Sequence, residues 1–121
     1  MNKAHLTLGK LGEDLATEHL KSVGYQIITR NYKATLGEID IIARDGETLV
    51  FVEVKTKHSN SFGRPEEMVT KNKQSKLKNL VKDFLSKNNH QGPIRIDVVA
   101  VNVNNPRNRA ALKHFDDLVD F

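Results

Sequence analysis

The chain has 121 residues, the length of a single domain, and its 38% hydrophobic and 28% charged residues are typical of a globular protein. This composition excludes a disordered tail, a coiled coil and a collagen-like repeat. The absence of cysteine excludes disulfides, thiolate zinc sites, iron–sulfur clusters and thiol nucleophiles. The formal net charge of +4 permits a polyanionic partner without requiring one.

No apolar run approaches the length of about 18 residues that predicts a membrane-spanning helix. The N-terminal stretch also lacks the apolar segment and small-residue cleavage site of a signal peptide. We therefore expect one domain over residues 1–121, located in the cytoplasm and without a membrane partner.

Two helices are predicted by apolar residues that recur at helical spacing. The first runs from Leu6 to Ser22; Thr7 can cap its start, and Gly24 follows its end, where a left-handed residue is favoured. The second runs from Lys71 to about Lys87 after Thr70 as N-cap, and it combines one apolar stripe with a basic opposite face.

Runs rich in β-branched and aromatic residues predict strands at Tyr25 to Tyr32, Glu38 to Arg44, Thr48 to Lys57, and Ile94 to Val103. Residues 58–64 predict a polar loop, Pro65 suits the first turn of a short helical segment, and residues 104–108 predict a turn. The remainder up to Phe121 is predicted as an edge strand plus a short helix. This order of elements predicts an α/β fold in which helices flank a central mixed β-sheet.

Asp45-Gly46 separates two of these strands and predicts a β-hairpin with a type I′ turn. Pairing outward from that turn opposes Asp40 to Phe51 and Glu38 to Glu53, so that Asp40 and Glu53 are diagonal neighbours. The residues predicted on one face are Glu38, Asp40, Phe51, Glu53 and Lys55, and those on the other are Ile39, Ile41, Val50, Val52 and Val54.

The acidic face of this hairpin predicts a cation site. Two carboxylates about 5 Å apart repel each other by roughly 3 kcal/mol at an effective dielectric constant near 20, and Lys55 offers only one positive charge. A hard divalent cation such as Mg²⁺ takes oxygen ligands and commonly needs only one or two carboxylates. The alternative is a solvated strand face on which Lys55 forms an ion pair with Glu53 or Glu38.

Asp40 followed by Glu53-Val54-Lys55 resembles the metal-binding hairpin of PD-(D/E)xK nucleases, which have a restriction-endonuclease-like fold. Ile39 stands where the proline of that motif is expected, which makes the match less specific. Nearly the whole chain also resembles the YraN-type uncharacterised bacterial proteins, which are similar to archaeal Holliday-junction resolvases. The segments that carry this second resemblance are Gly12-Glu13-Asp14-Leu15-Ala16, Gly24-Tyr25, Gly37-Glu38-Ile39-Asp40, Phe51-Val52-Glu53-Val54-Lys55-Thr56, Pro65-Glu66 and Asp97-Val98-Val99-Ala100-Val101.

The resemblance implies a catalytic site of Glu13, Asp40, Glu53 and Lys55 in a single PD-(D/E)xK nuclease-like domain. Asp40, Glu53 and Glu13 would bind Mg²⁺ or Mn²⁺, and Lys55 would orient the attacking water or neutralise charge on the phosphate. For Glu13, the alternative is a first-turn acid that complements the helix dipole. Glu38 is predicted as a supporting ligand or an outer-sphere partner.

Lys71 and Lys73 on the second helix and Arg64 in the preceding loop are candidate contacts to a phosphate backbone; the alternative is a solvated basic helix face. Asp97 is assigned a polar partner or a place at the sheet edge without chemistry. His19 is predicted to be a packed residue and not a metal ligand.

The predicted function is a Mg²⁺-dependent endonuclease that hydrolyses phosphodiester bonds in double-stranded or branched DNA. The alternative is a nucleic-acid-binding protein with the same restriction-endonuclease-like fold and no catalysis. A homodimer would suit the cutting of both strands at a junction, although no interface can be identified in the sequence. A salt link that left no space for a hydrated cation between the carboxylates would contradict the nuclease hypothesis.

Overall fold

The computed structural model describes residues 7–58, 69–104 and 109–119. Their elements are α1 (Leu8–Ser22), β1 (Gln26–Ala34), β2 (Gly37–Asp45), β3 (Thr48–Lys57), α2 (Lys71–Lys87), β4 (Ile94–Asn104) and β5 (Arg109–Val119). The strands form one five-stranded sheet in the order β1-β2-β3-β4-β5. β3 and β4 are parallel, whereas the other neighbouring pairs are antiparallel. The sheet is therefore mixed.

The two helices cover opposite faces of this sheet and create two apolar cores. The α1-side core contains Ala16 and Leu20 of α1, together with Val50, Val52 and other sheet residues. The α2-side core is formed by residues of α2 and of the sheet, among them Ile39, Ile42, Phe51, Leu77, Leu80, Val81 and Phe84. Valine, isoleucine and phenylalanine of the central strands are therefore buried on both faces of the sheet. The predicted α/β fold, a mixed sheet flanked by helices, is confirmed, and it is consistent with a restriction-endonuclease-like arrangement.

Most predicted element positions are correct. The second helix spans Lys71–Lys87, and the third strand spans Thr48–Lys57, as expected. The first helix begins at Leu8, because the side chain of Thr7 accepts a hydrogen bond from the Lys10 amide at 3.0 Å and acts as its N-cap. The predicted start at Leu6 lies outside the described residues. So do Arg64, the short helical segment at Pro65 and residues 105–108 of the turn predicted over 104–108, whose first residue, Asn104, ends β4.

The C-terminal prediction was partly wrong. Residues 109–119 form one continuous edge strand, paired antiparallel with β4, where a strand plus a short helix was expected. Pairing with β4 satisfies the backbone polar groups on one side of this segment, a tertiary effect that local sequence patterns do not report. Within the described ranges, no helix is long and apolar enough to cross a membrane.

Gly12 sets the distance between α1 and β3. A Cβ atom at this position would overlap the side chain of Thr56, so only glycine lets the helix backbone approach the strand this closely. A Cβ on Gly9, by contrast, would make only ordinary van der Waals contact, with the Thr7 hydroxyl at 4.0 Å. The contact at Gly12 holds the N-terminal half of α1 over the end of β3.

The β2–β3 hairpin differs from the prediction in its register. Its loop residues are Gly46 and Glu47, so Asp45 pairs with Thr48 and Ile42 pairs with Phe51. Gly46 has a φ of 61° at the first loop position, and Glu47 is not among the positive-φ residues, which is the pattern of a type II′ turn. The predicted type I′ turn was therefore wrong, and so were the pairs it implied.

The correct register shifts the partners of each strand by two residues. The last pair is Ile41–Val52, and Asp40 and Glu53 are the next residues on their two strands. They are thus direct counterparts across the hairpin and not diagonal neighbours, and Glu38 does not face Glu53. A two-residue shift preserves the alternation of faces, which is why the acids still share a region of the surface.

The alternation of faces is interrupted once in β2. Ile39 lies in the α2-side core and Ile41 in the α1-side core, although residues two apart in a regular strand share a face. The prediction that they lie together was wrong. The interruption occurs at Asp40, and the neighbouring strand has Asn31 at the corresponding place, between the pairs Arg30–Ile41 and Tyr32–Ile39.

Candidate active site

An open cleft of about 540 Å³ lies where α1 crosses the ends of β2 and β3. It brings together the four residues predicted as catalytic: Glu13, Asp40, Glu53 and Lys55. The remaining lining residues come mainly from the start of α1 and the end of β3: Thr7, Gly9, Lys10, Asn31, Glu38, Val54 and Thr56. The start of α1 and the end of β3 therefore share one solvent-accessible cleft with the acids of the hairpin.

Asp40 is held in the cleft by the backbone of the neighbouring strand. Its Oδ2 accepts a hydrogen bond from the Val54 amide at 2.8 Å. Burial and the charge of Glu53 raise the pKa of Asp40 to about 7, with a smaller contribution from Glu13, whereas the Val54 hydrogen bond opposes the change. The charged form of Asp40 is thus disfavoured, first by burial and then by the neighbouring Glu53.

Glu53 lies deeper than Asp40, with 7% of its surface exposed. The Nζ atom of Lys73 in α2 lies 3.2 Å from Glu53 Oε2. The structure therefore does not show the alternative ion pair between Lys55 and Glu53, because the lysine that pairs with Glu53 is Lys73 of the second helix. This salt link engages one carboxylate oxygen, while the cleft keeps enough volume for a cation with its waters.

Glu13 is oriented by two residues of β1. Its Oε1 accepts hydrogen bonds from Arg30 Nε at 3.3 Å, from Arg30 Nη2 at 3.0 Å and from Asn31 Nδ2 at 3.0 Å. Arg30 Nη2 also lies 2.6 Å from Asp14 Oδ1. The first turn of α1 contains no acid, so the alternative of Glu13 as a first-turn dipole partner is wrong.

Asn31 is a site residue that sequence reasoning missed. Its φ of 54° is left-handed, which asparagine tolerates better than most residues. At this position the strand changes the face to which its side chains point, and the Asn31 amide reaches Glu13. The only signal in the sequence was an asparagine inside a strand of β-branched and aromatic residues, where asparagine is disfavoured.

Three further predicted residues lie at the surface. Lys55 and Glu38 are exposed and line the cleft. Lys71 is exposed in the first turn of α2, two residues before Lys73. The structure therefore brings Lys73 into contact with Glu53, and it places Lys71 on the same helical turn.

Asp97 is not part of the cleft, and it anchors a separate buried network. Its carboxylate accepts hydrogen bonds from Arg95 Nε at 2.9 Å, from the Asp117 amide at 2.9 Å and from Tyr25. His114 Nε2 lies 2.8 Å from Oδ2, the oxygen that Tyr25 also contacts, whereas Arg95 Nε and the Asp117 amide bond to Oδ1. Burial would raise the pKa of Asp97, but the hydrogen bonds from His114 and Arg95 lower it below its ordinary value. The predicted polar partner of Asp97 is thus confirmed.

His19 belongs to the same network at its outer end. Its Nε2 lies 3.2 Å from Nδ1 of His114, and the two rings meet edge to face. Burial, with a smaller contribution from His114, lowers the pKa of His19. His19 is a packed residue, as the sequence predicted.

The donor set of the cleft fits a hard divalent cation. Asp40 and Glu53 supply carboxylate oxygens from adjacent strands, and burial together with the charge of Glu53 raises the pKa of Asp40. Among the described residues, no three acids or histidines converge closely enough to enclose a metal ion. Two carboxylates with several waters is the arrangement that Mg²⁺ commonly accepts.

Comparison with known proteins identifies relatives over most of the chain. A UPF0102 protein of Thermodesulfovibrio yellowstonii is 46% identical over 99 residues, which cover 82% of this chain and 88% of that protein. A UPF0102 protein of Caldicellulosiruptor saccharolyticus is 47% identical over 105 residues, with 86% and 87% covered.

Among solved structures, Pyrococcus furiosus SfsA in complex with Ca²⁺ aligns with 93% of this chain and 62% of its own at 13% identity and a TM-score of 0.32, a likeness too small to support an argument. The model of the family described as "Uncharacterised protein family UPF0102" matches residues 12–101. The chain therefore belongs to the uncharacterised protein family UPF0102, the YraN family, as its motifs predicted.

Proposed function

We propose that this protein is a Mg²⁺- or Mn²⁺-dependent endonuclease that hydrolyses DNA phosphodiester bonds. The observation that carries the proposal is the pair of counterpart carboxylates, Asp40 and Glu53, in an open cleft that also presents Lys55. Burial and the charge of Glu53 disfavour ionisation of Asp40, so a cation bound between them would relieve a repulsion that the fold keeps in place.

Each residue has a role set by its position. Asp40 and Glu53 would hold the cation, and Glu13, fixed by Arg30 and Asn31, would bind it through its second oxygen or through a water. Bound there, the metal would act as a Lewis acid on the phosphate and lower the pKa of a water. Lys55 is placed to stabilise negative charge on the phosphate as a point charge.

DNA is the proposed partner because basic residues border the cleft. Lys55 lines it, Lys73 of α2 contacts its Glu53, and Lys71 is exposed in the same helical turn. Arg64 lies outside the described residues and stays a prediction. The choice of branched over plain duplex DNA rests only on the resemblance of the motif to resolvases, and a homodimer and a cytoplasmic location belong to the same proposal.

The test is cleavage of labelled DNA by the purified protein. The panel contains single strands, duplex, nicked duplex and a four-way junction, each with Mg²⁺, Mn²⁺ or EDTA. We expect metal-dependent cleavage that is lost in the variants Asp40→Asn and Lys55→Ala. Both variants are purified in the same way as the wild type, so that cleavage by a contaminating nuclease would appear in all three preparations. Equal cleavage by the variants, or none by the wild type on every substrate, contradicts the proposal.

A second candidate is a DNA-binding protein with this fold and no catalysis. The ion pair between Lys73 and Glu53 and the bonds from Arg30 to Glu13 favour it, because they give two of the acids protein partners. This candidate predicts DNA binding in EDTA that is unchanged by Mg²⁺ and by Asp40→Asn. Anisotropy titrations with the same DNA panel distinguish it from the nuclease.

A further inference from the structure

The ion pair between Lys73 and Glu53 joins two elements that are distant in sequence. Lys73 Nζ reaches Glu53 Oε2 at 3.2 Å from the first turn of α2. The Glu53 side chain is 8% exposed and the Lys73 side chain 46%. The carboxylate is thus fixed in the protein, whereas the ammonium group approaches it from the solvent side.

Lys73 is placed against the electrostatic preference of its own helix. A lysine in the first turn of a helix is disfavoured by the helix dipole, and this turn contains no acid to compensate. Thr70 already caps the helix through the Lys73 amide, so the side chain of Lys73 is not needed for capping. What compensates the unfavourable position is the contact with Glu53.

Lys73 pairs with only one of the two counterpart carboxylates. Asp40 and Glu53 contribute two negative charges when both are ionised, and Lys73 contributes one positive charge, at Glu53. Arg30 is engaged by Glu13 and Asp14 and so belongs to another pair. Lys73 therefore neutralises Glu53 but leaves Asp40, held only by the Val54 amide, without a cation among the ion pairs of the described residues.

We propose that Lys73 is an internal counter-ion that occupies Glu53 in the metal-free protein and is displaced when a divalent cation binds Asp40 and Glu53. This inference rests on the proposed metal site. Displacement lowers the apparent affinity for the cation, since the ion pair must break first. It also releases the ammonium group of an exposed lysine in the first turn of α2, the helix proposed to contact the phosphate backbone.

The first experiment uses the unaltered protein and measures the reactivity of its lysines. Amine acetylation is followed by mass spectrometry in EDTA and in saturating Mg²⁺. We expect Mg²⁺ to raise the labelling rate of Lys73 by about threefold or more, because its ammonium leaves an ion pair. Lys76, exposed on the same helix, serves as the internal control and should not change.

The second experiment measures Mg²⁺ binding by calorimetry for wild type, Lys73→Met, Lys73→Arg and the matched control Lys76→Met. Removing the competing charge should tighten Mg²⁺ binding by about threefold or more in Lys73→Met. Lys73→Arg keeps a positive charge and should bind more weakly than Lys73→Met. Lys76→Met should match the wild type.

The outcomes separate this inference from the proposed function. If wild type and Lys73→Met bind Mg²⁺ equally, or if Lys73 labelling ignores saturating Mg²⁺, the counter-ion role is refuted and the metal site stands. If no variant binds Mg²⁺, both fail together. Should Lys73→Met not fold, the labelling experiment on the unaltered protein still decides.

Discussion

Asp40 and Glu53 are counterparts on adjacent strands, but only Glu53 forms an ion pair with a residue of the described ranges. Lys73 pairs with Glu53, whereas Asp40 accepts one backbone hydrogen bond from Val54. Burial and the neighbouring Glu53 raise the pKa of Asp40 to about 7. The fold therefore tolerates a carboxylate that would be more stable protonated, a condition typical of functional sites.

Replacing Asp40 by Asn should stabilise the metal-free protein. The raised pKa means that the folded state binds more protons than the unfolded state, so Asp40 costs nothing below its unfolded pKa and costs most above about pH 7. We expect a gain of about 2 kcal/mol at about pH 8, discounted because the side chain is only partly buried, and little gain at about pH 4. Urea unfolding in EDTA at both pH values measures this. A variant that unfolds would show that Asp40 has a structural role.

Asn31 should be sensitive to substitution for two separable reasons. Asn31→Gly keeps access to the left-handed backbone and removes only the hydrogen bond to Glu13, so its stability should stay near that of the wild type. Asn31→Ala adds backbone strain and should lose about 1–2 kcal/mol more. Both variants should impair DNA cleavage if catalysis requires the hydrogen bond from Asn31 that orients Glu13. Thermal unfolding and DNA cleavage together separate the effects, and equal stability of the two variants would contradict the backbone role.

Asp97 should behave in the opposite way to Asp40. Its fully buried carboxylate is bonded by Arg95, His114 and the Asp117 amide, so Asp97→Ala leaves the Arg95 guanidinium without its main partner. We expect a loss of about 3–5 kcal/mol in the free energy of unfolding, as for other broken buried pairs. Chemical unfolding at neutral pH tests this. A loss below about 1 kcal/mol would mean that the network contributes little to stability.

His19 should make the protein more sensitive to acid. Its pKa is lowered by burial and by His114, so the folded state binds fewer protons than the unfolded state. The associated stability is present above the ordinary histidine pKa of about 6.5 and is lost as the pH falls through the lowered folded value. His19→Gln should therefore lose less stability than the wild type between about pH 7.5 and about pH 5. Identical pH profiles for the two proteins would refute this role.

Local patterns in the sequence were sufficient for most of the elements. Apolar spacing with the caps Thr7 and Thr70 determines the helices, because capping and the apolar stripe depend on residues within one or two turns. Asp40, Glu53 and Lys55 still line one cleft although the predicted turn was wrong, because an error of two residues in register does not by itself move a side chain to the other face.

Tertiary structure alone decided which charges meet. Lys73 and Glu53 come together because α2 returns antiparallel over the sheet, and Arg30, Asn31 and Glu13 meet because β1 lies beside α1. Tyr25 and Asp97 are 72 residues apart in the chain, and no local pattern connects them. The sequence by itself determined most of the secondary structure and the acids of the hairpin that share the cleft, since hydrophobic periodicity acts over short distances. Their partners and protonation depend on packing, burial and the field of elements remote along the chain.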